Sequence, residues 1–138
     1  MAWILFWCLL YKRVASMALP MIELLDTMYP VVLTVLFIVH LSKRHAFVQC
    51  VGMLGLIGLV GALKMAVGKR RPNGADNESF PSGHAALAVY VAGMSRWNPW
   101  VVSWAALASA SRVMLRHHDV VDVSAGAALG AITAWLTT

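Results

Sequence analysis

From Ala46 to Val67 the chain carries a single charged side chain, Lys64, placed near the end of the run. Crossing a bilayer takes about 20 mostly apolar residues at 1.5 Å rise per residue, and this stretch meets that requirement. Trp100 to Leu115 and Val120 to Leu136 reach it with slightly extended ends. Tyr29 to Leu41 reaches it only from near Met21, which puts Glu23 and Asp26 at the interface, and His84 to Trp97 needs Ser82 and Asn98 at its two ends. Lys12, Arg13, Pro20 and Glu23 interrupt residues 1 to 25, which therefore read as an interfacial or partly inserted N-terminal helix ahead of a helical core over 26–138. The expectation is an all-α, polytopic membrane bundle of five to six transmembrane helices, built as a single domain over residues 1–138.

Composition agrees. Apolar residues make up 60% of the chain and charged residues 12%, with a mean hydropathy of +0.72. A soluble domain is nearer half apolar and a quarter charged, so the surplus faces lipid and the lipid bilayer is the expected surrounding. The net charge of +5 does not argue for nucleic acid, because the cations flank apolar segments or cluster within and beside the motifs described next. Cys8 and Cys50 both lie in apolar stretches and read as buried free thiols rather than a disulfide. Ala2 to Leu10 resembles the apolar core of a signal peptide. It lacks a preceding basic region and a clear small-x-small cleavage site, and so reads as retained.

Three short motifs follow in order: Lys64-x6-Arg71-Pro72, Pro81-Ser82-Gly83-His84, and Ser111-Arg112-x5-His118-x3-Asp122. The helix ending near Val67 delivers the first to one membrane face. A loop rich in Gly, Pro, Asn and Asp carries the chain to the second, which opens the next helix on that same face. The chain crosses, turns at Asn98-Pro99 and returns, so the third motif arrives on that face too. Taken singly, each has an ordinary explanation: Lys64 as a snorkelling anchor, Ser82 as a helix N-cap, and His118 with Asp122 as a structural hydrogen bond on one helix face. Taken together they supply what phosphoryl transfer needs. Lys64, Arg71 and Arg112 would neutralise a phosphate dianion. Ser82 and the Gly83 amide, at a helix N-terminus, would complete the cradle. His118 would be the nucleophile with Asp122 fixing its tautomer, and His84 would protonate the leaving group and then activate water. No carboxylate cluster suits magnesium, so neither metal nor cofactor is expected.

On these motifs the chain resembles the type 2 phosphatidic acid phosphatases, the membrane branch of the superfamily that also holds bacterial acid phosphatases and vanadium haloperoxidases. The resemblance runs from about Lys64 to Asp122. It implies an acid phosphatase/haloperoxidase-like core of six helices, a phosphohistidine on His118, and a lipid phosphate or diphosphate substrate such as phosphatidic acid, phosphatidylglycerophosphate, a polyprenyl diphosphate or lipid A. It also implies phosphate binding by Lys64, Arg71, Ser82, Gly83 and Arg112, with His84 as the acid. The compressed N-terminal part departs from the family pattern. A lipid-to-lipid phosphotransferase would use the same site, and a non-catalytic lipid-binding protein would keep the motifs without turnover.

Several residues stand outside this constellation. His117 and Asp119 read as local hydrogen-bonded or solvated neighbours of His118, and His40 and His45 as interfacial residues on the opposite face. Most tryptophans fall near helix ends, as in an interface belt. Gly52, Gly55, Gly58 and Gly61 recur every three residues, and Gly126 and Gly130 form a small-x3-small pair. These ridges suit packing within the monomer, with a homodimer interface as the alternative. Lys43, Arg44 and Arg96 lie opposite the motifs, while Lys69, Arg70 and Arg116 lie beside them. The resemblance favours a bacterial inner membrane with the active site facing the periplasm.

Overall fold

The computed structural model describes the backbone from Ala2 to Thr138 and the side chains of residues 13, 14 and 16–138. Readings that fall on Cys8, Lys12 or the side chains of the Ala2 to Leu10 stretch lie outside those described. Five helices follow one another: α1 (Ala2–His40), α2 (Ala46–Val67), α3 (Gly83–Met94), α4 (Pro99–Met114) and α5 (Val120–Thr137). By length and composition three segments are able to cross a membrane, Ser16–His40, Ala46–Val67 and Val120–Thr137. Their outward faces carry Val35, Ile38, Leu54, Ile57, Ile132 and Leu136, all exposed, as an integral membrane protein requires.

Two boundaries differ from expectation. The N-terminal stretch is joined to the first span without a break: α1 is one helix of 39 residues, about 58 Å at helical rise, and runs through both Pro20 and Pro30. Each proline removes one backbone bond, to the Ser16 and Asp26 carbonyls respectively, and membrane helices tolerate such gaps when the surroundings compensate. Thr27 and Thr34 bond back to the Glu23 and Pro30 carbonyls at 2.9 and 2.7 Å, in the turns beside Pro30. α3 is shorter than expected, with 12 residues, because Arg96 and Trp97 take left-handed backbone angles that no helix continues through. Asn98 then caps α4 by accepting from the Trp100 amide at 3.0 Å, with Pro99 in its first turn.

α3 is the centre of the bundle. Ala85, Ala86, Ala88, Tyr90 and Val91 have no exposed surface. α5 lies closest to it, α4, α1 and α2 pack around it, α1 also touches α4, and α2 also touches α5. The α3–α5 seam is a backbone-to-backbone contact made possible by glycine. A Cβ on Gly126 would lie 2.2 Å from the Ser82 carbonyl oxygen, and one on Gly130 would lie 2.1 Å from that of Ala86. The small-x3-small pair is thus consumed by packing within the chain. Along α2 only Gly52 is crowded, by Thr137 and the Tyr90 hydroxyl, whereas Gly55, Gly58 and Gly61 have nothing within 4 Å. Cys50 is a free, half-buried thiol.

Chain direction decides where chemistry collects. The α1–α2 and α3–α4 turns, with Lys43, Arg44 and Arg96, sit at one end of the bundle. The α2–α3 loop and the α4–α5 turn sit at the other and bring all three motifs together.

Candidate active site

The site end is stitched from two loops. Gly68 closes α2 in a left-handed conformation, its amide bonding the Lys64 carbonyl at 2.9 Å. The loop then folds back on itself, with the Ser79 amide on the Lys69 carbonyl (2.9 Å) and the Arg71 amide on the Asp76 carbonyl (2.9 Å). It is tied to the third motif twice, through the Asn73 amide on the Arg116 carbonyl (3.0 Å) and the Ser82 amide on the Asp122 carbonyl (2.9 Å).

His118 is 3% exposed. Its Nδ1–H donates to the Ser79 carbonyl at 2.6 Å, which leaves Nε2 as the unprotonated, attacking-type nitrogen. This corrects the expected arrangement, in which Asp122 held that proton. The Asp122 carboxylate lies 3.8 Å from Nδ1, beyond hydrogen-bond distance, because it is fully engaged elsewhere. It is completely buried and accepts from the Ser79 hydroxyl, from Lys69 Nζ at 2.7 Å and from the Asp119 amide at 3.0 Å. Asp119 returns the last bond by accepting from the Asp122 amide at 2.9 Å, a reciprocal cap on α5. Asp122 therefore reaches His118 through Ser79, whose hydroxyl and carbonyl face the two groups.

Burial pushes the His118 imidazole down to about 4, with Lys64, Arg112 and Arg71 adding to the effect and the Ser79 carbonyl opposing it. The ring is neutral at pH 7, as a nucleophile must be. His117 is also lowered, first by burial and then by Arg112. Lys69 is raised by its bonds to Asp119 and Asp122, and Asp119 is lowered chiefly by Lys69.

The three expected cations surround His118, and each has a protein partner. Lys64 Nζ donates to the Glu78 carbonyl. Arg71 Nε pairs with Asp76 at 2.6 Å. Arg112 is 6% exposed, and its Nη1 pairs with Asp26 of α1. Arg112 Nε, by contrast, is buried with no partner, as is His117 Nδ1. A buried guanidinium N–H left without an acceptor is costly, and an anion seated there would satisfy it.

Ser82 has no exposed surface and caps α3, its hydroxyl accepting from the Ala85 amide at 3.4 Å. Gly83 follows in the first turn, where a Cβ would meet only Val60 at an ordinary 3.5 Å, so local crowding does not demand glycine there. His84 lies within electrostatic range of Arg112, Asp26, His118 and His117. Its ring packs against Tyr29 of α1 in a tilted pair with centroids 4.2 Å apart. The Tyr29 hydroxyl donates to the His84 carbonyl at 2.8 Å, and Trp104 stacks on the far side of Tyr29 at 5.6 Å. All eight residues singled out in the sequence thus sit at one end of the bundle. Ser79, Lys69, Asp26 and Tyr29 were not singled out. Asp119, noted only as a neighbour of His118, did carry a readable signal: an acidic cap three residues before a second acid at the start of an apolar run. Among the described residues no group of three or more His, Cys, Asp and Glu side chains converges as a metal would require.

Helices of membrane length that bring Lys64, Arg71 and Arg112 close to a buried, neutral histidine define a class of membrane protein with a site suited to anions. The profile of the PAP2 superfamily matches residues 45–138, which takes in every motif, and the chain belongs to that superfamily. A similar curated protein is the lipid A 1-phosphatase of Porphyromonas gingivalis, 35% identical over 92 residues, covering 59% of this chain and 20% of that protein. The chain thus spans about a fifth of the length of this relative. No solved structure matches the chain significantly. α1, with Asp26 and Tyr29, precedes the matched residues.

Proposed function

We propose that the chain is an integral membrane lipid phosphatase that removes a phosphate from a lipid phosphomonoester or diphosphate by way of His118. The observation that carries this reading is the bond from His118 Nδ1–H to the Ser79 carbonyl at 2.6 Å, which leaves Nε2 as the free ring nitrogen near three cations, among which the buried Arg112 Nε lacks a partner. The phosphate would sit on Arg112, Arg71 and Lys64, with the free amides at the start of α3, including that of Gly83, on its remaining oxygens. Ser82 fixes that helix start as its cap. Nε2 attacks phosphorus, the bond to the lipid oxygen breaks, and His84 gives that oxygen its proton. Water then attacks the phosphohistidine, His84 takes the water's proton, and inorganic phosphate leaves. Asp122, acting through Ser79, steadies the imidazolium character that develops on His118.

The apolar outer surface keeps lipid tails in the bilayer while the head group enters from the interface. The name of the Porphyromonas relative favours a phosphate on a lipid A type molecule; the family resemblance is what favours a site facing the periplasm from the inner membrane. The test is phosphate release by detergent-purified protein in EDTA, on phosphatidic acid, phosphatidylglycerophosphate, undecaprenyl diphosphate and lipid A, each beside His118→Ala. Release from one lipid that vanishes in the variant is expected. Label appearing on a second lipid instead of as free phosphate would make the protein a phosphotransferase, and turnover surviving in His118→Ala would remove the nucleophile.

A further inference from the structure

Arg112 poses a problem when the site is empty. A guanidinium 6% exposed cannot be left without a counter-charge, because a buried, unpaired cation is strongly destabilising. The residue that compensates it lies outside the three motifs. Asp26 of α1 takes Nη1, while Nε at another edge of the same group stays without a partner. Asp26 keeps 23% of its side chain exposed and so has water to turn to. One helical turn further along the same face, Tyr29 is bonded to and packed against the His84 segment, which fixes the height of Asp26 relative to the site.

We propose that Asp26 is a built-in competitor for the phosphate position, an affinity-determining residue that neutralises Arg112 in the empty site and opposes phosphate in the filled one. This rests on the phosphate-site reading above. If the incoming phosphate displaces Asp26, the lost ion pair subtracts from binding. If Asp26 stays on Nη1 and phosphate takes the Nε edge, two like charges share one guanidinium. Both routes weaken binding, and both favour release of inorganic phosphate after turnover. The exposed Asp76 holds Arg71 by a comparable pair, but it lies on the loop and is readily solvated. Asp26 differs in guarding a buried arginine from a membrane helix.

Inorganic phosphate is the probe. In Asp26→Asn the amide oxygen still accepts from Nη1, but the charge is gone. The inhibition constant of inorganic phosphate should fall about tenfold, as for one partly screened unit charge. Phosphate should also raise the melting temperature of this variant by about twice the rise in the unaltered protein at the same concentration. Asp26→Glu, which keeps the charge, should stay within about twofold of the unaltered protein on both readouts. Equal phosphate effects in Asp26→Asn and the unaltered protein would overturn the proposal. So would an Asp26→Asn protein that fails to fold in saturating phosphate while Asp26→Glu folds, because phosphate should replace the missing counter-charge. Failure of the underlying site reading looks different: phosphate then neither inhibits nor stabilises the unaltered protein.

Discussion

Two of the helices that touch α3 do so in opposite ways. α5 meets it backbone to backbone, with Gly126 and Gly130 set against the carbonyls of Ser82 and Ala86. α1 meets it through side chains, Tyr29 on His84 and Asp26 on Arg112, and much of its remaining surface is exposed. The α5 contact fixes the relative height of the second and third motifs to within an atomic radius. The α1 contact leaves that geometry alone and acts on charge and ring orientation. Residues matched by the superfamily profile form the first contact, and residues ahead of the match form the second. On the proposed mechanism the reacting groups belong to the elements joined by this seam, and the adjustable contacts come from its flank.

Breaking the seam should have the largest effect. Gly126→Val forces a side chain into the Ser82 carbonyl, where even a Cβ would lie at 2.2 Å, and backbone cannot yield as a flexible side chain does. We expect loss of both a cooperative melt and activity in detergent. A melting temperature within a few degrees of the unaltered protein would refute a seam this tight. The next largest effect tests the relay behind the nucleophile. Ser79→Ala keeps the carbonyl that holds His118 but removes a donor from the buried Asp122 carboxylate. We expect kcat to fall about tenfold, with KM little changed, since one lost bond to a buried charge costs about 1–3 kcal/mol.

A smaller effect sharpens the electrostatic side. With His118 lowered to about 4, kcat/KM should hold its nucleophile-dependent acid limb well below pH 6.5. Lys64 is one of the cations opposing protonation, so Lys64→Met should move that limb toward higher pH as well as raising KM. A limb that stays put, or moves down, contradicts the assignment. The smallest effect is a control on the same residue type. Gly55→Ala has nothing within 4 Å of the new methyl and should leave activity unchanged. It should stabilise the helix by up to about 1 kcal/mol, as read from the thermal melt.

What the sequence made legible, and what it did not, divides along the same line. Lys64, Arg71, Ser82, Gly83, His84, Arg112, His118 and Asp122 could be placed on one face because hydrophobic run length fixes chain direction, and direction fixes which loops share an end. α3 was overestimated because its end depends on the left-handed angles of Arg96 and Trp97, which apolar composition does not report. Residues 1 to 25 were read as interrupted because Lys12, Arg13, Pro20 and Glu23 are breakers in water, whereas α1 continues through Pro20 and Pro30 as one helix. The expected pairing of His118 with Asp122 followed from their i,i+4 spacing. Position 122 is also the third residue of α5, and the capping box with Asp119 turned its carboxylate toward Lys69 and Ser79. Asp26 and Tyr29 had no local signature, since their roles arise only from where α1 docks. The N-cap role read for Ser82 is observed, its hydroxyl accepting from the Ala85 amide, and the proposed phosphate cradle would use the helix start that it caps.

The most direct test of the account is to look for phosphate on His118 itself. Radiolabelled lipid phosphate, mixed rapidly with the unaltered protein and quenched in alkali within a turnover, should leave an acid-labile, alkali-stable label that peptide mapping assigns to His118. Phosphate release without any labelled protein, or a label on another residue, would contradict it.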